Sequence, residues 1–563
     1  MILGIDLGTT NSAASVWKDG QSILIPNALG HNLTPSVVSV AEDGTVIVGQ
    51  AAKERLITHP QLTASRFKRT MGTEKSYQLG RNVFSSVELS SLVLKSLKRD
   101  AEAFLNEEIV EAVISVPAYF NDHQRNATKL AAELAGLKVE RLINEPTAAA
   151  LAYGLAEQPD DVRYMILDLG GGTFDVTVLE FFDGVMEVHA SAGDNHLGGE
   201  DFVDLLVQDF YKQNDINELE LLATDKSTIY RQFETAKRRL STDNDVEVAL
   251  TLTDAELTYR IDRSTFEKLS APLLNKIQFP IERALMDANV RLNQLDQVIL
   301  VGGATKMPLI RNLVAKLLKC FPAFKLDPDE VVAIGAGVQA GLKQDDEALS
   351  EIVLTDVCPY TLGIATYNEA APNNALFSPM IERNFILPSS VEHPFYTVQD
   401  NQTAIELEIF QGESPYAKNN VKLGQMTVDV PKKKKAEAEV MVRFSYDMNG
   451  LLEVDCKVTE TGKRYNKLFE RQAGTLTEEQ KQAILKKLAT LKVHPREDAQ
   501  NQALLARLER VYEQSRGDVR EFVLHMLRNF ETVLERQEPK AIQRQYKEIE
   551  TELDKLENGG WLE

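Results

Sequence analysis

The sequence has few cysteines and no long apolar run. Its 563 residues include only 3 cysteines, Cys320, Cys358 and Cys456, and these are odd in number and far apart. Such spacing favours neither a disulfide framework nor a zinc site. No apolar stretch approaches the ~18 residues of a membrane span, and the N-terminus carries Asp6 inside a predicted strand, unlike a signal peptide. We therefore expect a cytoplasmic protein that does not bind membranes.

Basic residues are also in the minority. The chain has 62 Lys and Arg against 84 Asp and Glu, a net charge of −22, which argues against nucleic acid as a general partner. The basic run 432–435 follows Pro431 and is expected to be a solvated loop between strands. Apolar residues make up 43% of the chain, which is ordinary for a folded protein. A chain of this length is expected to form two to four domains.

Two short segments read almost as copies of one another. Residues 4–12 are Gly-Ile-Asp-Leu-Gly-Thr-Thr-Asn-Ser, and residues 166–175 are Ile-Leu-Asp-Leu-Gly-Gly-Gly-Thr-Phe-Asp. Each pattern predicts a β-hairpin with glycine and threonine at its tip and a carboxylate, Asp6 or Asp168, at its base. Backbone N–H groups at such tips can bind phosphate, and a carboxylate can bind the accompanying Mg²⁺. One copy alone could be an ordinary glycine-rich hairpin, but the pair predicts two lobes that hold a polyphosphate between them.

Strands and helices alternate after each of these hairpins. This order predicts mixed α/β layers in two related lobes. A third glycine segment, residues 299–306, is again a strand followed by a turn, and can receive a nucleoside against its backbone. The other predicted elements are a strand at 109–116 that ends before Pro117, a helix capped by Asn121 and closed by Gly136, a strand at 139–143 and a helix at 147–153.

The sequence changes character after Gly341. Residues 345–356 mix acidic and apolar residues, and the apolar ones indicate a linker that docks rather than a simple spacer. Alternating strands follow, and then helical periodicity begins near Thr477, which forms a predicted capping box with Gln480. A β-domain followed by a helical bundle is therefore expected. The predicted strands lie at 405–409, 440–446 and 452–458, and the predicted apolar helical stripes lie at 519–534 and after Pro539.

Several long motifs carry a resemblance. In chain order they are GIDLGTTNS, VPAYFND, NEPTAAALAYG, LDLGGGTFD, GDNHLGGEDF, VGGATKMP and DPDEVVAIGAGVQAG. Over residues 1 to about 475 the chain resembles the seventy-kilodalton heat-shock chaperone family, and its short helical end looks most like the HscC-type bacterial branch. The resemblance implies an actin-like two-lobed α/β ATPase domain at 1–344, an interdomain linker at 345–356, a β-sandwich substrate-binding domain at 357–475 and an α-helical lid at 476–563.

The same resemblance implies an ATPase that uses ATP, ADP and Mg²⁺, with K⁺ as a further candidate ion. Lys68 matches the catalytic lysine of the family, and Asp6 and Asp168 match the residues that hold Mg²⁺ largely through water. The other catalytic residues that it implies are Glu145, Thr173 and Asp175. The implied nucleotide-binding residues are Gly8, Thr9, Thr10, Asn11, Gly170, Gly171, Gly172, Glu234, Lys237, Arg238, Ser241, Gly302, Gly303 and Lys306.

Peptide binding and coupling are implied in the same way. Tyr367 replaces the usual methionine over the peptide, so peptide choice is expected to differ; the alternative is an exposed loop aromatic. The loop Asn368 to Pro388 is longer than usual, and Thr355 replaces the last linker leucine. The implied peptide-binding residues are Ile364, Tyr367, Phe395, Val398, Ile405 and Leu451. The implied coupling and J-domain residues are Pro117, Arg125, Arg141, Asn144, Thr147 and Asp356.

We therefore expect an ATP-driven chaperone for extended apolar segments of unfolded polypeptides, with a J-domain co-chaperone and a nucleotide exchange factor as partners. Two alternatives remain at this point. A nucleotide-exchange or holdase relative would bind ATP without a productive cycle, and a J-domain would not stimulate its hydrolysis. A sugar kinase of the same actin-like superfamily would need a base for a sugar hydroxyl, and it leaves the apolar linker and the β-domain unexplained.

Overall fold

The computed structural model divides into two compact units, one built mainly from Met1–Tyr360 and Arg383–Leu387, the other mainly from Thr361–Glu382, Pro388–Asp447 and the chain from Leu451 onward. Most of the linker, the predicted capping box at Thr477 and the start of the predicted lid lie outside the described residues. The described residues are 1–40, 46–157, 162–182, 185–253, 255–323, 325–344, 349, 353–368, 374–447, 450–469, 504–505, 508, 511–512, 517–536 and 539–557.

The first unit begins with a sheet of order β11-β10-β1-β2-β3. The predicted hairpin is present: β1 runs antiparallel to β2, with Asp6 opposite Ala13. Leu3 and Ile5 of β1 are fully buried in the core of this lobe. The strands are β1 Ile2–Asp6, β2 Asn11–Lys18, β3 Gln21–Ile25, β4 Thr34–Pro35, β5 Val38–Val40, β6 Val46–Val48, β7 Thr63–Ala64, β8 Ser76–Leu79, β9 Asn82–Ser85, β10 Glu111–Val116 and β11 Leu142–Asn144.

Two helices of this lobe start at side-chain caps. The side chain of Asn121 accepts from the N–H of Gln124, as predicted, and Gly136 adopts a φ of 75° just past the helix end. The strand predicted at 139–143 is shorter and begins at Leu142, because only 142–144 pair with β10. The helix predicted at 147–153 is longer, since its alanine-rich sequence is strongly helix-forming. The helices are α1 Gln50–Thr58, α2 Ser86–Leu105, α3 Asp122–Leu134 and α4 Glu145–Glu157.

A second sheet in the first unit has the order β17-β12-β13-β14-β18. The second predicted hairpin is also present: β12 runs antiparallel to β13, with Asp168 opposite Asp175. The strands are β12 Val162–Leu169, β13 Phe174–Phe182, β14 Val185–Asp194, β15 Asp245–Thr251, β16 Glu256–Asp262, β17 Gln297–Val301 and β18 Val353–Leu354. The helices are α5 Gly199–Gln213, α6 Ala223–Arg239, α7 Arg263–Asp287, α8 Pro308–Leu318 and α9 Val331–Lys343.

The second unit contains two four-stranded sheets, of order β21-β20-β24-β25 and β23-β26-β27-β28. They face each other, because Cys456 Sγ of one sheet lies 3.8 Å from Met426 Sδ of the other. The basic run 432–435 lies between β25 and β26, as predicted. The strands are β19 Asp356–Val357, β20 Leu362–Thr366, β21 Leu376–Ile381, β22 Ile386–Leu387, β23 Ser389–Tyr396, β24 Ala404–Gln411, β25 Val421–Asp429, β26 Glu439–Tyr446, β27 Leu452–Val458 and β28 Arg464–Phe469, of which β19 and β22 pair within the first unit.

Two helices, α10 Gly517–Arg536 and α11 Pro539–Glu557, lie near the C-terminus. The predicted apolar stripes are present, and Phe530 and Leu534 of α10 share one buried cluster with Leu553 of α11. No helix in the described part of the chain is both long enough and apolar enough to cross a membrane.

Candidate active site

The two hairpin tips meet in the first unit. A Cβ atom added at Gly171 would collide with the Thr10 side chain, so glycine is required for the tips to approach this closely. Between them lies a cavity with about 540 Å³ of empty space, part of it open to solvent. The predicted residues that line it are Asp6, Gly8, Thr9, Thr10, Asn11, Lys68, Glu145, Asp168, Gly170, Gly171, Thr173, Gly302 and Gly303.

Lys68 and Glu145 form a buried ion pair in this cavity. Lys68 Nζ donates to Glu145 Oε1 at 2.6 Å, and the two residues are 3% and 7% exposed. A short 3₁₀ helix, Phe67–Thr70, carries the lysine, and the first residue of α4 supplies the glutamate. Because both residues are buried, such a charge interacts more strongly with a phosphoryl group than it would in water.

Three further carboxylates lie close to this pair. Burial, with the charge of Glu145 next, raises the pKa of Asp6 to about 7, although Ser115 Oγ donates to Asp6 Oδ1 at 2.8 Å. Burial and the same neighbour raise the pKa of Asp175 to about 8. The pKa of Asp168 lies well above its usual range, because the carboxyl is buried beside Glu145, Asp175 and Asp6. Clustered carboxylates of this kind favour a cation among them.

The residues present fit a hydrated Mg²⁺ ion. Asp6 and Asp168 offer the oxygen ligands that Mg²⁺ prefers, and the ion usually keeps several waters beside one or two carboxylates. Asp175 Oδ2 is buried without a hydrogen-bond partner in the described structure. Among the described residues, no group of three or more potential ligands is arranged to hold a metal directly.

Asp175 and Gly172 are not among the described residues that line the cavity. The backbone N–H of Tyr119 donates to Asp175 Oδ1 at 3.0 Å, which fixes the orientation of that carboxyl. The carbonyl of Gly172 accepts from Arg69 Nε at 3.2 Å. These contacts help to hold the second tip in place.

Four of the predicted nucleoside residues lie on or just after α6 and are not among the residues that line this cavity: Glu234, Lys237, Arg238 and Ser241. Lys237 is buried, and its ammonium donates to the carbonyl of Gly199 at 2.9 Å. Glu234 lies 2.8 Å from Lys237 Nζ and 2.7 Å from Arg238 Nε. Ser241 follows the helix, where its N–H donates to the carbonyl of Arg238 at 3.1 Å.

Lys306 is engaged by two aspartates. Its ammonium donates to Asp327 Oδ1 at 3.0 Å and to Asp329 Oδ2 at 2.6 Å. Partial burial opposes the charge, but the bonds from the aspartates outweigh it and raise the pKa of Lys306. Asp329 itself lines the cavity, together with Pro328 and Val332, and no sequence pattern had given these three a role; Val301 of the third glycine segment lines it too. The available signal was the acidic turn Asp-Pro-Asp-Glu at 327–330, directly before α9.

The predicted coupling residues converge within the first unit. Arg125 Nη2 donates to Asn144 Oδ1 at 2.7 Å, and Asn144 Nδ2 donates to Asp356 Oδ2 at 2.7 Å. Burial raises the pKa of Asp356 against the opposing charges of Arg125 and Arg141, and burial lowers the pKa of Arg141. Pro117 and Thr147 are also buried, and Thr147 is only 1% exposed.

The predicted peptide-binding residues lie on both sheets of the second unit. Ile364 of β20 and Ile405 of β24 are buried on neighbouring strands, and Phe395 lies on β23 of the other sheet. Val398 is half-buried after β23, and Leu451 is buried before β27. Tyr367 follows β20 and is 47% exposed.

Glycine tips, a buried lysine and clustered carboxylates define a nucleotide-binding protein equipped for phosphoryl transfer. The family model described as Hsp70 protein matches residues 2–560. The chain is also 42% identical over 480 residues to the protein named Chaperone protein DnaK from Thermotoga neapolitana, which covers 82% of this chain and 79% of that protein. The chain belongs to the Hsp70 family. It is an ATP-dependent chaperone and ATPase that uses ATP and ADP with Mg²⁺, and its partners are unfolded polypeptides and co-chaperones.

Proposed function

We propose that the cavity between the two tips hydrolyses ATP, with Lys68 as the main catalytic group. The observation that carries this proposal is the buried Lys68–Glu145 pair between the glycine tips. Lys68 would stabilise the charge on the transferring phosphoryl group and orient the attacking water, because phosphoryl transfer requires mainly positioning and electrostatic stabilisation. Glu145 holds the lysine in place, and Asp175 Oδ2 is available to accept from water.

The threonines and glycines of the tips would bind the phosphates. Thr9, Thr10 and Thr173 offer hydroxyl groups beside backbone N–H groups, a combination that suits phosphate oxygens. Asp6 and Asp168 would hold Mg²⁺ through water, and the ion would neutralise charge on the β- and γ-phosphates. The remaining Gly8, Asn11, Gly170, Gly171 and Gly172 would shape this cradle.

The nucleoside would bind beside the third glycine segment. Gly302 and Gly303 line the cavity, and Glu234, Lys237, Arg238 and Ser241 would contact the ribose and adenine. In the family an arginine usually occupies the position of Lys306 and sandwiches the adenine with a second arginine, here Arg238. The lysine ammonium is occupied by Asp327 and Asp329, which leaves a poorer stacking surface on that side.

The chain would couple this site to a peptide-binding domain. We infer an actin-like two-lobed domain at 1–344, a linker at 345–356, a β-sandwich at 357–475 and a lid at 476–563. ATP would favour a docked linker and an open sandwich, and hydrolysis would reverse both. The contact of Asp356 with Asn144 supports linker docking. Arg141, Asn144 and Thr147 would form the face that receives a J-domain, with Pro117 and Arg125 in the same coupling network.

Peptide would bind in the sandwich at Ile364, Phe395, Ile405 and Leu451, with Tyr367 and Val398 above it. We place the chain in the HscC-type branch and in the cytoplasm, with an exchange factor as a further partner. The test is single-turnover ATP hydrolysis with and without a J-domain and an apolar peptide. Stimulation by both is expected. Hydrolysis that neither additive changes would favour the exchange-factor or holdase alternative.

A further inference from the structure

Arg66 immediately precedes the 3₁₀ helix that carries Lys68, and its backbone is unusual. Its φ is 60° and its ψ is 13°, a left-handed conformation that residues other than glycine rarely adopt. Such a conformation persists only where the surroundings hold the residue in place. The contacts of the Arg66 side chain show what holds it.

Three side chains on two helices surround the Arg66 guanidinium. Its Nε lies 2.9 Å from Glu200 Oε2, and its Nη2 lies 3.7 Å from Asp204 Oδ1. Its Cζ lies 4.1 Å from the centre of the Tyr230 ring, within the range of a cation–π contact. Glu200 and Asp204 belong to α5, and Tyr230 belongs to the nucleoside helix α6. One arginine therefore joins the Lys68 segment to both helices.

The other end of the Lys68 segment is held by the same helix. Arg69 Nη2 donates to Asp201 Oδ2 at 2.5 Å. The first turn of α5 also binds the second glycine tip, because the N–H of Gly199 donates to the carbonyl of Gly170 and the N–H of Glu200 to that of Gly171, both at 2.9 Å. The start of α5 is thus a common anchor for the tip that would bind phosphate and for the segment that carries the lysine.

We propose that Arg66 is a positioning residue that fixes the Lys68 ammonium relative to the Gly170–Thr173 tip. This inference rests on the catalytic role proposed for Lys68. A segment of four residues has little rigidity of its own, so loss of one anchor allows the lysine to move. Misplacement of a catalytic group by about 1 Å can lower a rate by about 100-fold. The guanidinium acts through Lys68 and does not itself contact the cavity.

The first test compares Arg66→Asn, Arg66→Lys and wild type in single-turnover ATP hydrolysis by the full chain. Asparagine tolerates the left-handed backbone, so it removes the guanidinium without adding strain. Arg66→Asn should lower the rate about tenfold and leave the ATP dissociation constant within about twofold, and Arg66→Lys should recover part of the rate. Arg239→Asn is the matched control, since Arg239 lies on α6 in an exposed pair with Asp243; its rate should be unchanged.

The second test introduces Arg66→Asn into Lys68→Ala. If Arg66 acts through Lys68, the double variant hydrolyses ATP as slowly as Lys68→Ala alone, whereas a further tenfold loss would overturn the inference. If Lys68→Ala is slow and Arg66→Asn hydrolyses ATP at the normal rate, the inference about Arg66 is overturned and the proposed role of Lys68 stands. A normal Lys68→Ala would overturn the proposed role of Lys68 and the inference with it. Weakened ATP binding with a lowered melting temperature in Arg66→Asn would show a structural role instead and would also overturn it.

Discussion

The Lys68 ammonium lies 2.6 Å from the Glu145 carboxylate, and this pair joins a short 3₁₀ helix to the start of α4 across 77 residues of sequence. Neither charge has ready access to water, so each depends on the other for neutralisation. The same geometry places a positive charge between the two glycine tips. The pair therefore links the stability of the first unit to its proposed chemistry.

Lys68→Ala should retain ATP binding and slow hydrolysis by roughly 100-fold, because the lysine charge is worth most where negative charge develops in the transition state. The measurement is single-turnover hydrolysis together with ATP affinity. Lys95→Ala, at an exposed position on α2, serves as the control and should hydrolyse normally. A near-normal rate for Lys68→Ala would remove Lys68 from the catalytic assignment.

Asp356→Ala should uncouple the two activities of the chain. Asp356 accepts from Asn144 at 2.7 Å, and Leu354 lies opposite Met186 in the β14–β18 pair. We expect Asp356→Ala and Leu354→Asp to keep measurable basal hydrolysis and peptide binding, while ATP no longer accelerates release of a labelled peptide. Stopped-flow peptide release provides the measurement. If ATP still triggers release in both variants, the linker is only a tether.

Lys306→Arg should slow the release of nucleotide. Arginine offers a flat guanidinium for stacking on adenine, and the gain at a partly exposed site is about 1 kcal/mol, or about fivefold in release rate. The comparison is stopped-flow release of labelled ADP from wild type and variant, with Arg238→Ala as a control that should release faster. Equal rates for wild type and Lys306→Arg would show that position 306 does not face the base.

Glu200→Gln should change how stability depends on pH. Burial raises the pKa of Glu200 from 4.5 to about 7. The positive charges of Arg66, Arg69 and Lys237 lower this pKa, but they do not outweigh burial, and the negative charge of Asp204 adds to the rise. Between these values the folded state binds more protons than the unfolded chain, so this carboxyl makes the folded protein progressively less stable as pH rises. The full effect is about 3 kcal/mol.

The measurement is the free energy of unfolding from the first transition in urea, at pH 5 and at pH 8. The free energy of unfolding of Glu200→Gln minus that of wild type should be larger at pH 8 than at pH 5. Glu218→Gln, in a short surface helix, is the control, and its free energy of unfolding should differ from that of wild type by the same amount at both pH values. A Glu200→Gln variant that differs from wild type equally at the two pH values would contradict the raised pKa.

Local sequence patterns predicted the elements that form the site better than they predicted its contacts. The hairpins at Asp6 and Asp168, the cap at Asn121 and the stripes of α10 and α11 follow from short-range periodicity and turn chemistry, which neighbouring residues determine. The predicted boundaries of β11 and α4 were wrong, because strand pairing and burial decide where an element begins and ends.

The roles of Lys68 and the α6 residues came from family resemblance, because spacing alone does not distinguish one lysine from another. Asp329 was missed although its acidic turn was visible in the sequence. Arg66 and Tyr230 gave no local signal, and Glu200 lies in the motif GDNHLGGEDF without a role of its own. Only the folded chain brings Glu200 and Tyr230 into contact with the Arg66 guanidinium, and these contacts give the three residues a shared function.

Sequence patterns were enough to predict the paired glycine hairpins, an α/β region, a β-domain and C-terminal helices, because each of these depends on residues that are close in the chain. Which charges meet follows only from the folded chain. Arg69 and Asp201 are 132 residues apart, and Lys68 and Glu145 are 77 apart. Electrostatic energy depends on distance in space and on exclusion of water, and both are set only when the first unit folds.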